Sequence, residues 1–112
     1  MKMGVLAEGD TLESLVAEDF GHAPFFLIVD SENLDYTVVE NEYASGEGAG
    51  YKVANSIVPL GVEHVICGGI GTHGIKILQD AGIRVWYDMD EYTVQEAAEY
   101  VVGRIGHERK FE

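Results

Sequence analysis

The sequence predicts an α/β domain built on one five-stranded mixed sheet with helices on both faces. Its second half alternates strand, glycine turn, helix, strand and helix, which requires a parallel strand pair joined by a right-handed crossover. Its first half holds two strand-length runs separated by turn-forming residues, which requires an antiparallel hairpin. The chain has 112 residues, of which 46% are hydrophobic, enough for one core and no more.

Residues 2–7 (Lys-Met-Gly-Val-Leu-Ala) read as a first strand. Leu12, Leu15 and Val16 then fall at helical spacing after a cap at Asp10 or Thr11, which predicts a short helix closed by Gly21 and Pro24. Phe25 to Val29 is a continuous apolar strand, and Leu34 to Glu40 is a second β-rich stretch. Asp30-Ser31-Glu32-Asn33 between them supplies the turn.

The glycine-rich loop Ser45 to Gly50 precedes a helix with Val53, Ala54, Ile57 and Val58 on its buried face, ended by Pro59 and Gly61. Val62 to Cys67 is a buried strand. The next helix carries Ile75, Leu78 and Ala81 and stops at Gly82, and Ile83 to Tyr87 forms the last strand. Thr93 with Glu96 makes a capping box. It opens a helix whose stripe of Val94, Ala97, Ala98, Val101, Val102 and Ile105 repeats every 3.6 residues, with a stop expected at Gly106. This order matches the three-layer ribonuclease H-like arrangement. One domain over residues 1–106 and a polar C-terminal tail over residues 107–112 are expected.

Twenty carboxylates against seven Lys and Arg give a formal net charge of −13, with no basic patch. Nucleic-acid binding depends on Lys and Arg displacing counterions, so nucleic acid is not an expected partner. No apolar run reaches the ~20 residues that span a bilayer, so no membrane partner is expected. A single cysteine cannot form an internal disulfide, and the cytoplasm is the expected location.

The sharpest local feature is Cys67-Gly68-Gly69-Ile70-Gly71-Thr72-His73-Gly74, a glycine turn between strand and helix. Such a turn aims backbone N–H groups and a helix dipole at an anion. Gly69, Gly71 and Gly74 match the dinucleotide pattern G-x-G-x-x-G, with Asp88 or Asp90 near the place of the ribose-binding acid. A dinucleotide needs two mononucleotide-binding halves, however, and this chain supplies only one. A nuclease needs paired carboxylates on central strands, and Val65-Ile66-Cys67 offers none. His22, His64, Cys67 and His73 show no zinc spacing, and no nucleophile elbow supports a hydrolase. Cys67 has two readings: a small buried hydrophobe, or a thiol made reactive by the adjacent helix N-terminus.

Two stretches resemble a known family. Asp19-Phe20-Gly21-His22-Ala23-Pro24-Phe25-Phe26-Leu27-Ile28-Val29-Asp30 resembles H-F-G-x-A-P-x-F-x-I-V-[DE]. Cys67-Gly68-Gly69-Ile70-Gly71, Leu78, Ala81-Gly82-Ile83 and the helix from Thr93 resemble G-x-I-G…L…A-G-I…T-V-x-E-A. Both belong to the dinitrogenase iron-molybdenum cofactor biosynthesis family. The resemblance implies a ribonuclease H-like domain that holds or hands over an iron-, molybdenum- and sulfur-containing cluster without catalysing a reaction.

It implies a cluster site at His22, Cys67, Gly68, Gly69, Gly71 and His73, with Cys67, His73 and His22 as metal ligands. An iron-sulfur or molybdenum-iron-sulfur cluster is the expected cofactor, and a cluster-assembly or acceptor protein the expected partner. Asp19 stands where the family has histidine, so His22 is the substitute candidate, and Lys76 or Arg84 is expected to offset the negative charge. The alternative is a small-molecule- or protein-binding regulatory module that keeps the fold without the cluster site.

Overall fold

The computed structural model describes residues 1–109. Its strands are β1 (Lys2–Ala7), β2 (Phe25–Asp30), β3 (Tyr36–Glu40), β4 (His64–Ile66) and β5 (Arg84–Trp86). Its helices are α1 (Ala49–Ile57), continued by a 3₁₀ turn at Val58–Leu60, α2 (Thr72–Asp80) and α3 (Val94–Arg109). The sheet runs β3-β2-β1-β4-β5. The β1–β2 and β2–β3 pairs are antiparallel, and the β1–β4 and β4–β5 pairs are parallel. The mixed five-stranded sheet with helices on both faces is therefore as expected.

β1 is the central strand, and it is apolar on both faces because both are covered. Met3, Val5 and Ala7 point to one side, where Leu27, Val29 and Ile66 join them under Ala97, Ala98 and Val101 of α3. Leu6 points to the other, where Phe26, Val65 and Cys67 lie under Val53 and Ile57 of α1 and Leu78 of α2. The small side chains of Ala97 and Ala98 are fully buried against the sheet.

The capping box is present as the sequence predicts. Thr93 Oγ1 accepts from the Glu96 N–H at 3.1 Å, and Glu96 Oε1 accepts from the Thr93 N–H at 3.0 Å. In the hairpin turn the side chains of Asp30 and Asn33 accept from the N–H groups of Glu32 and Asp35, and Leu34 takes a left-handed φ of 61°.

Two local expectations are corrected. The helix expected after Asp10 does not form. Residues 15–17 are extended instead: the Ala17 N–H donates to Leu6 O, the Glu8 N–H to Leu15 O and the Val16 N–H to Tyr92 O, each at 2.9 Å. Tertiary pairing with the end of β1 and the entry to α3 outweighs a weak helical pattern. The stop expected at Gly106 is not taken either, and α3 continues to Arg109. Glu108 holds Arg84 of β5 through two bonds of 2.7 and 2.8 Å, which ties the last turn to the sheet edge. Residues 110–112 of the expected tail lie outside the described residues.

Leu27 and Leu78 sit on opposite faces of the sheet, both fully buried. Leu27→Ala and Leu78→Ala should each cost about 2–5 kcal/mol, the usual range for a core cavity. Both variants should keep one denaturation transition, seen alike by Trp86 fluorescence and far-UV circular dichroism, because both faces share β1. Two separate transitions would show that the faces fold independently.

Candidate functional site

Open α/β sheets bind ligands beyond the carboxyl ends of their strands, where the connections part to opposite sides. Here that point lies between β1 and β4, which are parallel neighbours. The segments that follow them are fastened to each other by backbone alone. The Gly69 N–H donates to Glu18 O at 2.6 Å, and the Phe20 N–H donates to Gly69 O at 2.9 Å. Gly68 permits this approach, since a Cβ there would collide with the carbonyl oxygens of Ala17 and Glu18. Gly21 permits a second one, since its Cβ would collide with the backbone of Gly50 at the start of α1.

These approaches open a surface cleft of 310 Å³, lined by Asp19, Gly21, Gly48, Gly50, Gly71 and His73, with Tyr51 beside them. The N-termini of α1 and α2 both meet it. Each is preceded by a glycine, Gly48 or Gly71, that makes no side-chain cap, and neither first turn holds an acidic residue. A helix start without a cap leaves its first amide hydrogens unsatisfied and carries partial positive charge. Two such starts at one cleft make a surface suited to an anion.

Asp19 forms the opposing rim. Its Oδ1 accepts from the Gly21 N–H at 3.0 Å, and its Oδ2 accepts from His22 Nδ1 at 2.8 Å. Partial burial pushes its pKa up. The hydrogen bonds from His22 and Gly21 and the charge of His22 outweigh this and hold the carboxyl below its usual value.

The six expected site residues divide. His73 lies in the first turn of α2 and, with Gly71, lines the cleft. Gly68 and Gly69 lie beneath it as the backbone junction. His22 is exposed and engaged by Asp19. Cys67 does not reach the cleft: it is fully buried in the core shared with Leu78 and Val65. Burial, reinforced by the nearby Asp88 carboxylate, pushes its thiol up to about 12, so the helix-activated thiol is not what the fold provides. Among the described residues no three His, Cys, Asp or Glu side chains gather as a metal site.

The expected offsetting cations are also committed elsewhere. Lys76 pairs with Asp80 at 3.2 Å, and Arg84 pairs with Glu108 and stacks over Trp86 at 4.2 Å. What sequence reasoning missed is the contribution of α1. In the sequence Gly48 and Gly50 fall within the glycine-rich loop, and Tyr51 follows it, with no mark of a site. The available signal was that two helices in succession begin at a glycine instead of a capping Ser, Thr, Asp or Asn.

The cleft thus lies at the switch point of a small α/β sheet, with two uncapped helix starts facing it. Residues 1–104 match the family described as dinitrogenase iron-molybdenum cofactor, and the chain belongs to that family. The orange protein from Desulfovibrio gigas, solved in its apo form, is 31% identical and superposes with a TM-score of 0.84, covering 91% of this chain and 87% of that one. A NifB-like protein from Thermotoga, solved by NMR, is 34% identical with a TM-score of 0.73 and the same two coverages. No protein of curated function matches the chain. No helix among the described residues is long and apolar enough to cross a membrane.

Two outcomes follow from this geometry. Cys67→Ser should cost about 1–3 kcal/mol from a poorly paired buried hydroxyl. Native Cys67 should resist iodoacetamide at pH 8 and react only on unfolding; rapid labelling of the native protein would place the thiol at the surface. Asp19 contributes stability above its unfolded pKa, near 3.8, and loses it as the pH falls through the lower folded value. Asp19→Asn should therefore be less stable than the parent at neutral pH and converge with it below pH 3.8, as read by urea midpoints across pH.

Proposed function

We propose that this protein is a non-catalytic carrier or accessory protein for an iron-, molybdenum- and sulfur-containing cluster, bound as an anion in the cleft. The observation that carries this reading is the convergence of two uncapped helix N-termini with His73 in a member of the iron-molybdenum cofactor family. The apo form recorded for the orange protein also supports a bound cargo. The sheet order 3-2-1-4-5, with β2 alone antiparallel, supports a ribonuclease H-like fold. We place the protein in the cytoplasm in this reading.

The donors present set the mode of binding. With Cys67 withdrawn and no group of three ligands among the described residues, the cleft suits an intact cluster whose own sulfides accept hydrogen bonds from main-chain amides. His73 is then the single soft donor, able to form or release one metal bond. Weak, mostly non-covalent holding is what a protein that must surrender its cargo needs. The net charge of −13 opposes an anion, but exposed charges beyond about 8 Å are largely screened at physiological ionic strength, while cleft amides act in contact. A regulatory module binding a different small ligand is the second reading, favoured by the Asp19 carboxylate on the rim.

Anaerobic purification should yield iron, molybdenum and labile sulfide with visible absorption. Tetrathiomolybdate, a defined molybdenum–sulfur anion, should bind the purified protein. An added Cβ at Gly71 meets nothing within 4 Å, so Gly71→Asp is accommodated, caps α2 and places a negative charge at the cleft. It should weaken tetrathiomolybdate binding at least tenfold, His73→Ala should weaken it less, and Cys67→Ser should leave it unchanged. Binding that is indifferent to Gly71→Asp would overturn the cleft as the site.

A further inference from the structure

The far edge of the sheet has features the cleft does not use. All five residues of β3 are exposed, because α3 packs over β1 and β2 on one face and α1 stops short of β3 on the other. The register places Tyr36 and Val38 opposite Val29 and Leu27, hence on the α3 face, and Val39 opposite Phe26, on the α1 face. Tyr36, Val38 and Val39 remain 37%, 41% and 39% exposed. An edge strand is normally protected by lysine, proline or a bulge. Tyr36-Thr37-Val38-Val39-Glu40 has neither lysine nor proline, and it pairs with β2 in unbroken register.

Beneath this edge a groove of 160 Å³ opens between the sheet and α1, floored by Leu6, Phe26, Val53 and Ile57 and rimmed by Glu40 and Glu42. Its size is decisive. Small-molecule sites run from about 300 Å³ upward, so this groove suits one anchoring side chain and not a free ligand. Its charge is equally selective. Asp35 precedes the strand, Glu40 ends it, Glu42 follows, and among the described residues no Lys or Arg lines the groove. Two copies at −13 each repel one another, whereas a basic segment is attracted.

We propose that β3 and this groove form a docking surface for an extended, basic segment of a partner protein. The segment adds a strand along β3, sets one apolar side chain in the groove and places Lys or Arg against Glu40 and Glu42. Main-chain hydrogen bonds supply affinity, and the groove and the two glutamates supply selectivity. This surface is independent of the cluster reading, because no residue that lines the groove also lines the cleft.

The test uses the full chain, isotope-labelled, with the peptide Lys-Lys-Val-Thr-Leu-Thr-Val-Lys-Lys as probe. NMR shifts should concentrate on residues 36–43 and on Val53 and Ile57. Glu40→Lys with Glu42→Lys should weaken binding at least tenfold and reduce its salt dependence. A peptide of the same composition without alternation should bind at least tenfold more weakly. Val39 is exposed, so Val39→Asp keeps the fold and should also weaken binding. Equal binding of the scrambled peptide, or shifts centred elsewhere, would overturn the proposal. A homodimer in sedimentation that Val38→Lys dissolves would overturn it too, by giving the edge to a second copy.

Discussion

The cleft depends on a contact between two stretches of bare backbone. Glu18, Asp19 and Phe20 lie directly against Gly68 and Gly69, joined by two main-chain hydrogen bonds with no side chain between them. This contact ties the excursion after β1 to the exit from β4. It draws the Asp19 rim toward the start of α2, and the close approach of Gly21 to Gly50 brings in the start of α1. A methyl group at Gly68 would push the two segments apart and take the cleft with them. The glycines of the turn thus divide their work: Gly68 and Gly69 make the junction, while Gly71 leaves the cleft open above it.

The cleft sets two amide-rich helix starts against the Asp19 carboxylate, within a strongly acidic molecule. Twenty carboxylates make the surface strongly acidic, and Lys76 and Arg84 are neutralised by partners of their own. Whatever partial positive charge the cleft carries is therefore main-chain charge, supplied by amide hydrogens at two helix starts. Amides cannot be titrated away, and they suit a ligand that carries its own negative charge and its own sulfur. The one thiol is kept neutral in the core, where burial and Asp88 both disfavour its ionised form. The fold thereby keeps the thiol apart from the cleft, on whose lining His73 lies.

Coverage of the sheet is uneven, and the unevenness has a cause. The covered strands β1, β2 and β4 are closed over by one long helix on one side and two short helices on the other. With nine residues each, α1 and α2 cannot shield five strands, so β3 is left open on both faces. The cleft and the open edge consequently use different segments of the same chain. The proposed cargo site and the proposed partner surface share no lining residue.

Periodicity and punctuation alone reveal most of the fold. The apolar run at Phe25–Val29, the capping box at Thr93 and Glu96 and the stripe from Val94 to Ile105 express local rules, and the structure obeys them. The motifs around Asp19–Asp30 and Cys67–Gly71 likewise carry the family. Long-range geometry decided the rest. Residues 15–17 were drawn into extended pairing with the end of β1 and the entry to α3, and α3 ran past Gly106, where Arg84 holds Glu108. Cys67 pointed into the core because strand alternation set it on the Val65 face, away from the cleft. By itself the sequence determined the five strands and the helices α1, α2 and α3, since those preferences act within a few residues. Only the tertiary structure decided that Gly48 and Gly71 would line one cleft, because that depends on backbone contacts between residues far apart in the chain.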